Sequence, residues 1–126
     1  MAVLYTAFNT LSVKFNEELI TVFPNDLDFK VCLNTITLMN KTNKKKLFEL
    51  VSPQLVLYNK YIREKDERFF LEKNEQEYTR EKNDVVIISK LKKYWTTLSE
   101  NNKEKIWEYV NSLLSIIEKI IQSNLK

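Results

Sequence analysis

The sequence predicts an all-α, single-domain protein: a bundle of about five or six helices closed by a long C-terminal helix. Three observations carry that expectation. Apolar residues recur three and four positions apart over most of the chain, the period that aligns them on one face of an α-helix. Glycine is absent and proline occurs only twice, which disfavours the tight turns of hairpin-rich β folds. The chain has 126 residues, of which 44% are hydrophobic, enough for one core. Glycine normally supplies left-handed positions, and asparagine, with 13 copies, is the expected substitute.

Residues 3 to 23 read as the first helix, with Leu4, Ala7, Phe8, Leu11, Phe15, Leu19 and Val22 on one face. Phe23-Pro24 ends it, because proline disfavours α geometry in the residue before it. Asn25 or Asp26 caps a second helix whose stripe is Phe29, Cys32, Leu33, Ile36 and Met39. Cys32 is read as a small buried hydrophobe. It is the single cysteine, so it forms no internal disulfide, and the chain has no histidine to activate it. Lys41, Lys44, Lys45 and Lys46 sit in a stretch without a negative charge. It reads as a solvated connector or, more sharply, as an anchor for phosphate or an acidic partner.

Leu47, Leu50 and Val51 belong to a short third helix. Ser52-Pro53 then reads as an N-cap with proline in the first turn of another, whose stripe is Leu55, Tyr58, Tyr61 and Ile62. Phe69, Phe70 and Leu71 follow the charged stretch Arg63 to Arg68 and are expected to tuck under the bundle while the charges face water. Residues 72–83 are polar apart from Tyr78 and are expected to form a mobile connector. Asp84 is a cap for a helix carrying Val85, Ile88, Leu91, Trp95 and Leu98. Thr96 to Ser99 turn into the final helix, Ser99 to Leu125, about 37 Å long. Its stripe is Ile106, Trp107, Val110, Leu113, Leu114, Ile117, Ile120 and Ile121. Both tryptophans should be buried, against Phe8, Leu11 or Phe15 of the first helix.

The stretch IISKLKKYWTTLSENNKEKIWEYVNSLLSI, Ile87 to Ile116, resembles a pattern in small all-helical proteins of nucleocytoplasmic large DNA viruses, of the algal-virus and mimivirus-like groups. Tyr94, Trp95, Leu98, Ser99, Lys103, Ile106, Trp107 and Tyr109 carry the likeness. YIREKDERFFL, Tyr61 to Leu71, and Val22-Phe23-Pro24 are similar to two further segments of those proteins. That family has no established biochemical activity. The resemblance therefore implies a viral origin and an all-α fold and supplies no catalytic residue.

An enzyme is not expected, and neither is a cofactor. Without histidine there is no Ser–His or Cys–His pair and no general acid–base group tuned near neutral pH. Glu64, Asp66 and Glu67 are interleaved with Arg63, Lys65 and Arg68, so mutual ion pairing is favoured over metal binding. The balance of 20 basic and 17 acidic side chains is mild for a nucleic-acid binder. That class survives as an alternative built on Lys41–Lys46 and Lys90–Lys105, with Lys44, Lys45, Lys46, Lys92 and Lys93 as candidate anion contacts. The favoured reading is a non-enzymatic protein-interaction or virion-associated structural module. Its partner is another protein, viral or host, or a second copy. The final helix holds more apolar residues than one stripe needs: either residues 113 to 125 are enclosed inside a bundle of five or six helices, or, as slightly favoured, the excess forms a contact, with Ile116, Ile117, Ile120, Ile121 and Leu125 as the candidate partner surface. No apolar run approaches the roughly 18 residues of a membrane span, and the N-terminus lacks a basic region followed by an apolar one. The expected location is the host cytoplasm or nucleus, or the virion, with no membrane partner and no secretion.

Overall fold

A computed structural model describes residues 2–71 and 87–125. The expected connector at 72–83, and the cap and first turn assigned to Asp84 and Val85, lie outside the described residues. The described residues form seven α-helices and one 3-10 turn, without a strand. They are α1 (Ala2–Val22), α2 (Leu27–Thr42), α3 (Lys46–Leu57), α4 (Asn59–Arg63), α5 (Arg68–Leu71), α6 (Ile87–Tyr94), the 3-10 turn Trp95–Thr97, and α7 (Glu100–Asn124). The all-α fold with a long last helix is as expected.

α1 is the central strut. It pairs with α2 through the tight turn at Phe23 to Asp26 and runs antiparallel to α7, with Phe15 stacked on Tyr109 at 5.0 Å and Glu18 bridged to Lys105 at 3.2 Å. α3 and α4 also pack on α7. The start of α2 is capped as the sequence suggests: Asp26 Oδ1 accepts from the Asp28 backbone N–H at 2.9 Å. Ser99 caps α7 in the same way, accepting from Asn102 N–H at 3.2 Å.

Three local features differ from expectation. Ser52 and Pro53 do not start a helix; α3 runs through them to Leu57, and Ser52 is buried. The break comes instead at Tyr58, which separates α3 from the short α4. The buried face of α1 is rotated away from the purely apolar stripe. It holds Tyr5, Asn9, Ser12 and Asn16 alongside Phe8, Phe15 and Leu19, while Leu4 and Leu11 are only half-buried. Buried amides are tolerated where they find partners. Asn9 Nδ2 donates to the Lys44 carbonyl at 3.0 Å and Asn16 Nδ2 to the Phe29 carbonyl at 2.7 Å. These two bonds fasten the first turn of α2, and the turn that follows α2, to α1.

The third difference is the left-handed position. Among the described residues it is Lys65, at φ 52°, and not an asparagine. Lys65 N–H donates to the Ile62 carbonyl at 3.1 Å and Asp66 N–H to the Tyr61 carbonyl at 2.8 Å. This is the Schellman ending of a helix, with lysine where glycine is usual.

Phe69 and Phe70 are buried, as expected. Phe70 stacks on Trp95 at 4.2 Å and lies 5.0 Å from Trp107, which in turn meets Trp95 edge-on at 5.5 Å. Both tryptophans are buried. Their ring contacts run to Phe70 and to each other, whereas the aromatic contact between α1 and α7 is made by Phe15 and Tyr109. The charges beside Phe69 face outward and tie this corner down. Trp95 Nε1 donates to Glu67 Oε1 at 3.1 Å, and Lys103 Nζ reaches the same oxygen at 3.2 Å. Those two contacts, Lys103 first, hold the Glu67 carboxyl below its usual range.

Candidate functional site

The expected partner surface on α7 does not exist as one face. Ile117 and Ile120 are fully buried in the core, and Ile116 is half-buried against it. Ile121 is 37% exposed and Leu125, at the end of the helix, 80%. α1 covers one side of these turns; α3 and α4 cover others. Arg63 pairs with Glu118, and Asn111 Nδ2 donates to the Ile62 carbonyl at 3.0 Å, so α4 is laid along α7. The excess isoleucine is what a helix with several neighbours needs.

The two lysine clusters differ in kind. In the second, Lys90 binds Asp28 at 2.6 Å and Asp26 at 3.0 Å, Lys103 binds Glu67, and Lys105 binds Glu18. Lys92 is half-buried and partnered, and Lys93 lies over the Tyr94 ring at 5.7 Å. Lys90, Lys103 and Lys105 are therefore ties between distant segments, while Lys93 stays exposed. Asp26 is the centre of one such tie. Tyr94 donates its hydroxyl proton to Asp26, and this bond, with Lys90 behind it, holds the Asp26 carboxyl down to about 2.

Lys41, Lys44, Lys45 and Lys46 are exposed, and none has a carboxylate within bridging distance among the described residues. The turn that carries them is held firmly. Asn43 Oδ1 accepts from Lys45 N–H at 3.0 Å, the Asn43 carbonyl accepts from Lys46 N–H at 3.2 Å, and buried Asn9 holds Lys44. Lys45 Nζ lies 5.6 Å from the Tyr5 ring centre.

An aligned set of exposed apolar side chains lies on α2. Its inner face buries Phe29, Cys32 and Ile36, as the sequence predicts. Its outer face presents Leu27, Val31 and Leu38, which are 66%, 60% and 64% exposed. At about 100° per residue these three fall on one line, opposite the buried stripe. The line is about 16 Å long. Lys30 and Lys41 run along one border, both exposed; Asp28 and Thr35 form the other. Sequence reasoning assigned only the inner stripe of this helix. The signal for the second was the set of apolar residues that the first left over, spaced by four and seven positions.

Among the described residues no group of three or more His, Cys, Asp or Glu is placed to hold a metal ion, and no helix is long and apolar enough to cross a membrane. Cys32 is buried. No family model, curated protein or solved structure matches this chain.

Proposed function

We propose that this chain is a non-enzymatic protein-interaction module, whose contact surface is the outer face of α2 and not the end of α7. One observation supports it above the others: Leu27, Val31 and Leu38 are aligned and exposed on a helix whose opposite face is already committed to the core. A helix that is apolar on two faces belongs between two neighbours, and α2 has its helical neighbours, α1 and α3, accounting for its closest packing. In the setting that the viral resemblance implies, the partner is a viral or host protein in an infected cell or in the virion. The test compares the intact chain with Val31→Glu/Leu38→Glu as bait in the cells that make it. The variant should keep its helical circular dichroism and lose at least one protein that the wild type retains. Identical sets of retained proteins would defeat the proposal.

The second reading is nucleic-acid binding, and the stretch Lys41 to Lys46, whose lysines have no ion pair among the described residues, is the observation that favours it. Four lysines on phosphates would give a steep fall in affinity with salt, roughly 0.9 log units per log unit of salt for each contact on duplex DNA. A shallow slope, or one unchanged by Lys44→Gln/Lys45→Gln/Lys46→Gln, would remove that reading.

A further inference from the structure

We propose that the occupant of the α2 face is a short amphipathic helix with an apolar stripe bordered by aspartate and glutamate. This rests on the reading of that face as an interface and adds the chemistry of what covers it. Leu27, Val31 and Leu38 offer three exposed apolar positions over about three turns, with exposed Asn34 on the same line between Val31 and Leu38. A partner helix with apolar residues at positions i, i+4, i+7 and i+11 matches its length and period. Lys30 and Lys41 border the line on one side, and the basic turn Lys44 to Lys46 continues from the end of the same helix. None of Lys30, Lys41, Lys44, Lys45 and Lys46 has an ion pair among the described residues, so their charges remain available to a partner. Lys90, by contrast, is already neutralised by Asp26 and Asp28.

The alternatives fit less well. A two-fold antiparallel pairing of this face with a second copy brings like borders together, so lysine would meet lysine. A nucleic acid offers phosphates to the lysines and nothing that buries three aliphatic side chains. An anionic bilayer favours lysine on both borders of an inserted stripe, and the far border here holds Asp28 and Thr35.

The experiment is a selection against the full chain. The probe is a displayed library of 18-residue helical peptides with leucine fixed at four positions on one face and the flanking positions randomised among Glu, Gln and Lys. Glutamate should be enriched over lysine by at least tenfold on one flank. The charge-swapped protein Lys30→Glu/Lys41→Glu should reverse that preference, and Val31→Glu/Leu38→Glu should abolish enrichment. Enrichment lost in Val31→Glu/Leu38→Glu but indifferent to flank charge overturns the acidic helix and leaves the face as an interface. No enrichment over Val31→Glu/Leu38→Glu overturns the acidic helix and counts against the interface too. Concentration-dependent dimerisation, or binding to phosphatidylserine vesicles, that Leu38→Glu removes would identify a different occupant and also overturn the proposal.

Discussion

Replacing Phe70 by alanine should be among the most damaging single changes in this chain. The ring is fully buried and touches Phe69, Trp95 and Trp107, with centroids 4.8, 4.2 and 5.0 Å away. Truncating a buried phenylalanine costs about 3–5 kcal/mol in lost transfer energy and cavity formation. Each aromatic pair adds about 0.5–1.5 kcal/mol beyond its buried area. A domain of this size has a total stability of roughly 6–19 kcal/mol, so Phe70→Ala would use up a large part of it. Phe70→Leu keeps most of the volume and should cost about 1.5 kcal/mol. The chain has only two tryptophans, and both touch Phe70. Urea unfolding followed by tryptophan emission and by circular dichroism therefore reads the site and the whole fold together. Both variants should shift the native emission as well as the midpoint. A loss under about 1 kcal/mol for Phe70→Ala, with native emission unchanged, would show that this ring does not join α5 to the tryptophans and would refute the reasoning.

Lys65 occupies a left-handed position that costs a side-chain-bearing residue about 1–2 kcal/mol. Lys65→Gly should raise stability by about 0.5–1 kcal/mol, after the larger entropy of glycine in the unfolded chain and the loss of the exposed pair with Glu104 are deducted; a lowered melting temperature would contradict this. Asp26 has its pKa depressed from 3.8 to about 2, so its contribution is present above pH 3.8 and is lost as pH falls through about 2. The pH-dependent part of the stability gap between wild type and Asp26→Asn, about 2 kcal/mol, should be fully present above pH 5 and shrink toward pH 2; a gap that does not change with pH would show that the charge on Asp26 contributes nothing to the tie with Tyr94 and Lys90.

The helix-level architecture was legible because periodicity and caps report local physics. Asp26 and Ser99 cap the helices the sequence assigned them, and Phe29, Cys32 and Ile36 face inward as spaced. What was not legible depends on distant partners. Asn9 and Asn16 lie on the buried face of α1 because carbonyls of Lys44 and Phe29 receive their amides, and nothing local announces that. Pro53 looked like a helix start beside Ser52, yet tertiary packing on α7 keeps α3 continuous through it. Lysines 90, 103 and 105 looked like one basic face because their partners Asp26, Asp28, Glu67 and Glu18 are far away in sequence. The same blindness misplaced the candidate surface. Counting apolar residues on α7 leaves enclosure and interface both open, and enclosure holds because α1, α3 and α4 all lie against it.

That failure has a constructive side, because the core and the surface must share one supply of apolar residues. α7 carries an excess and spends it on several neighbours, so its isoleucines bury completely at Ile117 and Ile120. α2 has fewer neighbours and still carries two stripes. A single exposed leucine is ordinary on a protein surface. Three large aliphatic side chains on one line, about 16 Å long and bordered on one side by lysines that have no ion pair among the described residues, are not scattered in that way. Burying such a side chain is worth about 1.5–3 kcal/mol, and the fold leaves that free energy unrealised at Leu27, Val31 and Leu38. Turning the outer stripe inward would expose Phe29, Cys32 and Ile36 and break the hydrogen bonds that Asn9 and Asn16 donate to the Lys44 and Phe29 carbonyls. A surface from outside the described bundle can cover that line, and the lysines beside it favour one that is acidic.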